Sequence, residues 1–170
     1  MLLVLIGGLP AIAQYEVSDR EKFGLRVGFF RPIDGKLTDL GRIWMGPSVD
    51  WYRTYDHLDR PINYVNIGIY TVDKHALTLR STPLTYNWIR RFSDEERHWY
   101  ASGGVGFNFL KYQFGAHGDS GSSTKISLHG TMGYSISDHY FAECQYSLLP
   151  KWDGVNWSGI TLYAGIRTSF

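Results

Sequence analysis

Ser127, His129 and Glu143 are the residues whose types and spacing offer a nucleophile, a general base and an orienting acid. Ser127 and His129 lie two apart, which in an extended strand puts both side chains on one face. Glu143 falls in the next run of alternating residues, within reach if the two runs pair. The plainer assignment is a structural serine and histidine on a polar face, and nothing else in the pattern demands catalysis.

A second set is ionic. Arg26, Asp50, Glu143 and Arg167 each interrupt a run of small or apolar residues, and strand alternation places all four on the polar side. They fall near one end of their runs, on segments that become consecutive if the sheet closes. This predicts an ionic cluster inside the lower end of a barrel, with Glu143 near Arg167 and Arg26 near Asp50, each pair offsetting the other's desolvation. The alternative is four separately solvated charges.

Metal and cofactor chemistry find little support. The six histidines show no paired ligand spacing. Cys144 is the only cysteine, so neither an intrachain disulfide nor a thiolate metal site can form, and it reads as a small apolar filler. Gly103-Gly104-Val105-Gly106 lies inside an alternating run and leads into no helix, so it is not a phosphate loop. No cofactor is expected.

The elements that must position these residues are strands. The chain has 170 residues, room for one domain, and a formal charge of +1 that gives no reason to expect nucleic acid. Aromatic residues at 16% against charged residues at 19% suit a strand-rich fold. Mean hydropathy is −0.22, a value shared by soluble proteins and by membrane barrels, in which only alternate residues meet lipid.

Residues 1–10 form an apolar run of signal-peptide length, too short to cross a bilayer as a helix, followed by Ala11-Ile12-Ala13. The usual basic leader is missing, so residues 1–13 are expected to be a signal peptide shortened at its start, with 14–170 the exported domain; the alternative is a buried N-terminal strand.

Eight runs of period-two alternation follow. Phe23, Leu25, Val27 and Phe29 open the series; Val65, Ile67 and Ile69 mark the third run. In the fourth, Leu77 and Leu79 give way beyond Pro83 to Leu84, Tyr86 and Trp88 in the opposite phase, which predicts a bulge at Pro83. Ile160, Leu162, Ala164, Ile166 and Phe170 close the last run. Links at 32–41, 115–124 and 150–157 look long and Gly-rich, while 56–61, 93–98 and 137–139 look short; the short link at 73–75 departs from this alternation. Long loops at one end and short turns at the other are the asymmetry of an outer-membrane barrel.

One face of these strands is nearly free of charge and the other carries Gly, Ser, Thr, Asn and Tyr. A soluble lipocalin-like carrier would need the charge-free face inside. Turned outward it would aggregate in water but suits lipid. The fold class expected is all-β, an eight-stranded antiparallel up-and-down transmembrane β-barrel.

The ending Leu162-Tyr163-Ala164-Gly165-Ile166-Arg167-Thr168-Ser169-Phe170 resembles the C-terminal signature of bacterial outer-membrane proteins, though Thr168 departs from the usual aromatic or apolar choice. The opening Phe23-Gly24-Leu25-Arg26-Val27-Gly28, followed by Pro32, resembles the first strand of small barrels such as outer-membrane proteins A and W. The resemblance implies an outer-membrane location in a Gram-negative envelope and contact with outer-membrane lipid. It also implies recognition of Leu162, Ala164, Ile166 and Phe170 by the barrel-insertion machinery, and a monomer. It implies a non-enzymatic role, as a structural barrel or a narrow conduit for small or apolar molecules. Some related barrels hydrolyse or transfer lipid acyl chains. The lipid A deacylases place Ser after His with Asn beside them, on the lipid side, an order that His129-Gly130-Thr131 does not match.

Overall fold

The computed structural model describes residues 23–168 except 57, 59, 75, 76, 115–118 and 138. The proposed signal peptide and Phe170 lie outside the described residues. Within them the chain forms β1 (Phe23–Pro32), α1 (Gly35–Leu40), β2 (Trp44–Tyr55), β3 (Pro61–Gly68), β4 (Tyr70–Lys74), β5 (Leu77–Arg91), β6 (His98–Phe114), β7 (Ser120–Ser135), β8 (Tyr140–Leu148) and β9 (Gly159–Thr168).

All pairings are antiparallel, and β1 bonds to both β2 and β9, which closes the sheet. β3 and β4 are one barrel strand interrupted at Ile69, because both hold the same register against β2 and against β5. The nine named strands thus make a barrel of eight. Closure removes every sheet edge along the paired stretch, so backbone groups there need no outside partner.

Alternation divides the side chains as the sequence predicts. On β1, Phe23, Leu25, Val27 and Phe29 point outward while Arg26 and Phe30 are buried inside. Leu162 and Ile166 are exposed on β9, with Ala164 between them on the same face. Around the barrel these residues form a continuous apolar band. Trp51, Trp99 and Tyr140 lie along its lower edge, and Phe29, Phe109 and Tyr146 along its upper edge. Here the lower end is the one carrying Phe23, Thr168 and the short links.

Two expectations need correcting. There is no bulge at Pro83: β5 pairs with β6 residue for residue from Leu77 to Arg91. Odd positions face inward throughout, so Leu79 is buried and Arg80 exposed, while lower down Thr85 is buried and Leu84 exposed. What changes at Pro83 is the surroundings. Below it the outside is apolar and the inside polar; above it a leucine-rich interior is sheathed by polar residues, as in a water-soluble barrel. The 115–124 segment is likewise not all loop, since β7 begins at Ser120 and pairs with β6 up to Gln113. Its Ser-rich composition reflects exposure above the band, where side chains on both faces meet water. A bulge does occur on the lower part of β2, where the register against β3 shifts between Tyr52 and Tyr55.

The upper end is organised by α1, which sequence periodicity did not reveal because six residues are too few to show a period. Asp34 caps it, accepting a hydrogen bond from the Lys36 amide at 2.9 Å.

Candidate functional site

The interior is the first place to look for chemistry, and it is filled. Arg26 is the hub of its lower part. Its Nη1 donates to Glu143 Oε2 at 2.5 Å, its Nη2 lies 3.0 Å from Asp50 Oδ1, and its Nε donates to Ser48 Oγ at 3.0 Å. The guanidinium also rests 4.2 Å from the Tyr163 ring centroid. The second oxygen of Glu143 accepts from the Tyr100 hydroxyl at 2.8 Å, and Asp50 accepts from Asn66 Nδ2 at 2.8 Å.

Register explains why these residues meet. Arg26 faces Ser48 across β1–β2 and Gly165 across β1–β9, and Asp50 faces Gly24. The long side chain of Arg26 then crosses the lumen level of β9 to Glu143 on β8. Glycines make room. A Cβ on Gly165 would stand 2.4 Å from the Phe141 ring and 2.9 Å from Arg26 Cβ. At Gly133 it would stand 2.3 Å from the Tyr100 ring, so Tyr100 reaches Glu143 only because its cross-strand neighbour has no side chain.

All four residues of the predicted ionic set therefore line one region of the lumen; the expected Arg26–Asp50 pair is present, and Arg26 also reaches Glu143. Arg26 contacts both carboxylates. Arg167 donates to Ser135 Oγ at 3.1 Å and lies 4.7 Å from the Phe141 ring centroid. Sequence spacing gave the height of each charge along its strand but not how far each side chain reaches around the wall.

The predicted nucleophile set is not assembled. His129 Nε2 contacts Asn87 Oδ1, and Glu143 is held by Arg26 and Tyr100. Ser127 Oγ has no partner among the described residues. Ser127 and His129 line a mid-lumen cavity of about 30 Å3, enough for one or two water molecules and far too small for an acyl chain.

Above that cavity the lumen is closed again by an apolar core of Phe30, Leu37, Trp44, Leu79, Leu110 and Trp157, with others. Tyr70 and Tyr163 join hydroxyls beneath it at 2.5 Å. The link between β8 and β9 folds inward to supply Leu149 and Trp157. It is fixed by Ser158, whose Oγ accepts from the Leu149 amide at 3.0 Å, and by Asp34, whose Oδ2 accepts from the Asn156 amide at 2.8 Å. Those amide bonds, from Asn156 and Lys36, hold the Asp34 carboxyl below the usual carboxylate range. Among the described residues no group of His, Cys, Asp and Glu is arranged to hold a metal ion.

No protein-family model and no curated protein matches the chain. Several solved structures share its fold. Neisserial surface protein A superposes with a TM-score of 0.60 at 14% identity, covering 87% of this chain and 96% of that one. The N-terminal β-barrel domain of Pseudomonas aeruginosa OprF gives 0.57 at 12% identity, over 88% and 99%. Ail, the attachment invasion locus protein of Yersinia pestis, solved with the heparin analogue sucrose octasulfate, gives 0.53 at 14% identity, over 86% and 96%. The chain thus has the fold of small eight-stranded outer-membrane barrels.

Proposed function

We propose that this protein is a non-enzymatic outer-membrane barrel that spans the membrane without conducting, and serves as a scaffold for its outer end. The observation that carries the reading is the filled lumen: an ionic plug below, an apolar plug above, and about 30 Å3 between them. Of the two roles open from the sequence, scaffold and narrow conduit, this favours the scaffold. The outward apolar band supports a location in lipid. In water its strand-long stripes of Leu, Val, Ile and Phe would drive association, and the shared fold agrees with an outer-membrane setting. The lower end, with its short links, then faces the periplasm, and α1 with the upper strand ends faces outward. Leu162, Ala164 and Ile166 on the outer face of β9, together with Phe170, serve as the insertion signal, and the closed sheet is consistent with a monomer.

Planar-bilayer recording tests the non-conducting claim. Purified, folded protein should add no stable unitary conductance. Reproducible open channels at neutral pH and moderate voltage would contradict it.

A further inference from the structure

The upper end of the barrel holds a cup of about 270 Å3, open to solvent and separate from the lumen cavity. Leucines of α1 and β5 form its floor. Tyr112, Trp152, Val155 and Trp157 form a wall, with ring centroids of Tyr112 and Trp152 5.6 Å apart and those of Trp152 and Trp157 5.7 Å apart. Two of its described lining residues carry charge, Asp119 and Asp153, and both are carboxylates.

The wall is preorganised. Trp152 and Val155 exchange backbone hydrogen bonds of 2.9 and 3.0 Å around Asp153-Gly154, whose φ values of 49° and 71° mark a tight left-handed turn. Asp34 clamps the same link to α1 through Asn156.

Aromatic faces and carboxylates together select one ligand chemistry. Rings attract cations through their quadrupoles, carboxylates attract them directly, and an apolar floor favours a hydrocarbon body. We propose that the cup binds amphipathic organic cations, molecules joining an aromatic or aliphatic body to a quaternary or protonated amine. The inference uses the outward-facing position of this end from the reading above, but not the absence of conductance.

The probe is benzoylcholine, titrated against the folded full chain in a non-ionic detergent lacking choline headgroups and followed by tryptophan fluorescence and calorimetry. Hippurate, with the same benzoyl group carried on an amide and a carboxylate in place of the ammonium, is the comparison. Saturable binding of benzoylcholine, little of hippurate, and affinity about tenfold weaker in the Asp119→Asn/Asp153→Asn variant are expected. Asparagine tolerates the left-handed turn at position 153, so that variant keeps the wall in place. Trp152→Leu should weaken binding as well. Equal binding of hippurate, a non-saturating response, or an unchanged affinity in the double variant would overturn the proposal. Heat-dependent gel mobility of each variant reports separately on whether the barrel is folded, so failure of the site is distinguishable from failure of the barrel reading.

Discussion

Arg26 and Glu143 are 117 residues apart in the chain and 2.5 Å apart in the lumen, joined across Gly165 on the strand between them. Both side chains are almost wholly withdrawn from solvent. A charge pair so placed is specific without being strongly stabilising, but removing one member strands the other.

Replacing Arg26 with Met leaves Asp50 and Glu143 buried beside one another. We expect a loss of about 3–5 kcal/mol, the cost of breaking a buried ion pair, read from urea unfolding in lipid vesicles. Arg26→Met/Glu143→Gln should recover part of it. The cycle should show coupling above about 1 kcal/mol, whereas strictly additive losses would deny the contact.

Two glycines on β7 separate the inside of the wall from the outside. Gly133 lies under Tyr100, whereas a Cβ at Gly130 would meet nothing within 4 Å. Gly133→Ala should cost about 1–3 kcal/mol through overpacking, and Gly130→Ala should stay within about 0.5 kcal/mol of the parent. The same unfolding assay checks both, and equal effects would mean that the strand faces are misassigned.

The height of the apolar band can be read with charge. Leu128→Arg places a guanidinium within the band and should destabilise by about 2–4 kcal/mol if near the bilayer midplane. Thr124→Arg, four residues higher on the same outer face of β7, should have little effect. A large penalty at both positions would move the membrane upward over the polar collar.

Asp34 ties α1 to the β8–β9 link, and its carboxyl titrates below the ordinary range. A depressed folded value means that the stabilisation is complete above the unfolded value of about 3.9 and is lost as pH falls through the folded one. Protection of the Asn156 amide against hydrogen exchange should therefore persist through mildly acidic pH and decline only in strong acid. Asp34→Ala should abolish it at neutral pH and speed tryptic cleavage after Lys151. Unchanged protection in that variant would contradict the clamp.

The strands were legible because one chemical rule, apolar outward and polar inward, holds over most of each. Phe23 to Phe29, and Ile160 to Ile166, show it without exception. Reading failed where the rule inverts. Above the band, Leu79 turns inward and Arg80 outward, so an uninterrupted strand looked like one broken at Pro83. The four lumen charges were visible as intruders in apolar or small-residue runs, and neighbouring strands gave the Arg26–Asp50 pair; the contact of Arg26 with Glu143, two strands away, depends on side-chain reach, which alternation does not encode. The outer cup gave only a weak signal: Asp153-Gly154 between tryptophans marks a turn, yet nothing in sequence says that it folds back over the lumen.

The most direct test of the account is where the full chain goes when expressed in a Gram-negative host, and how it runs on a gel before and after boiling. A band-encircled, closed barrel predicts recovery with the outer membrane and a mobility that changes only on heating. Recovery as a soluble periplasmic protein with one mobility would contradict it, because the exposed Leu, Ile and Phe face would then have to be buried in some other fold.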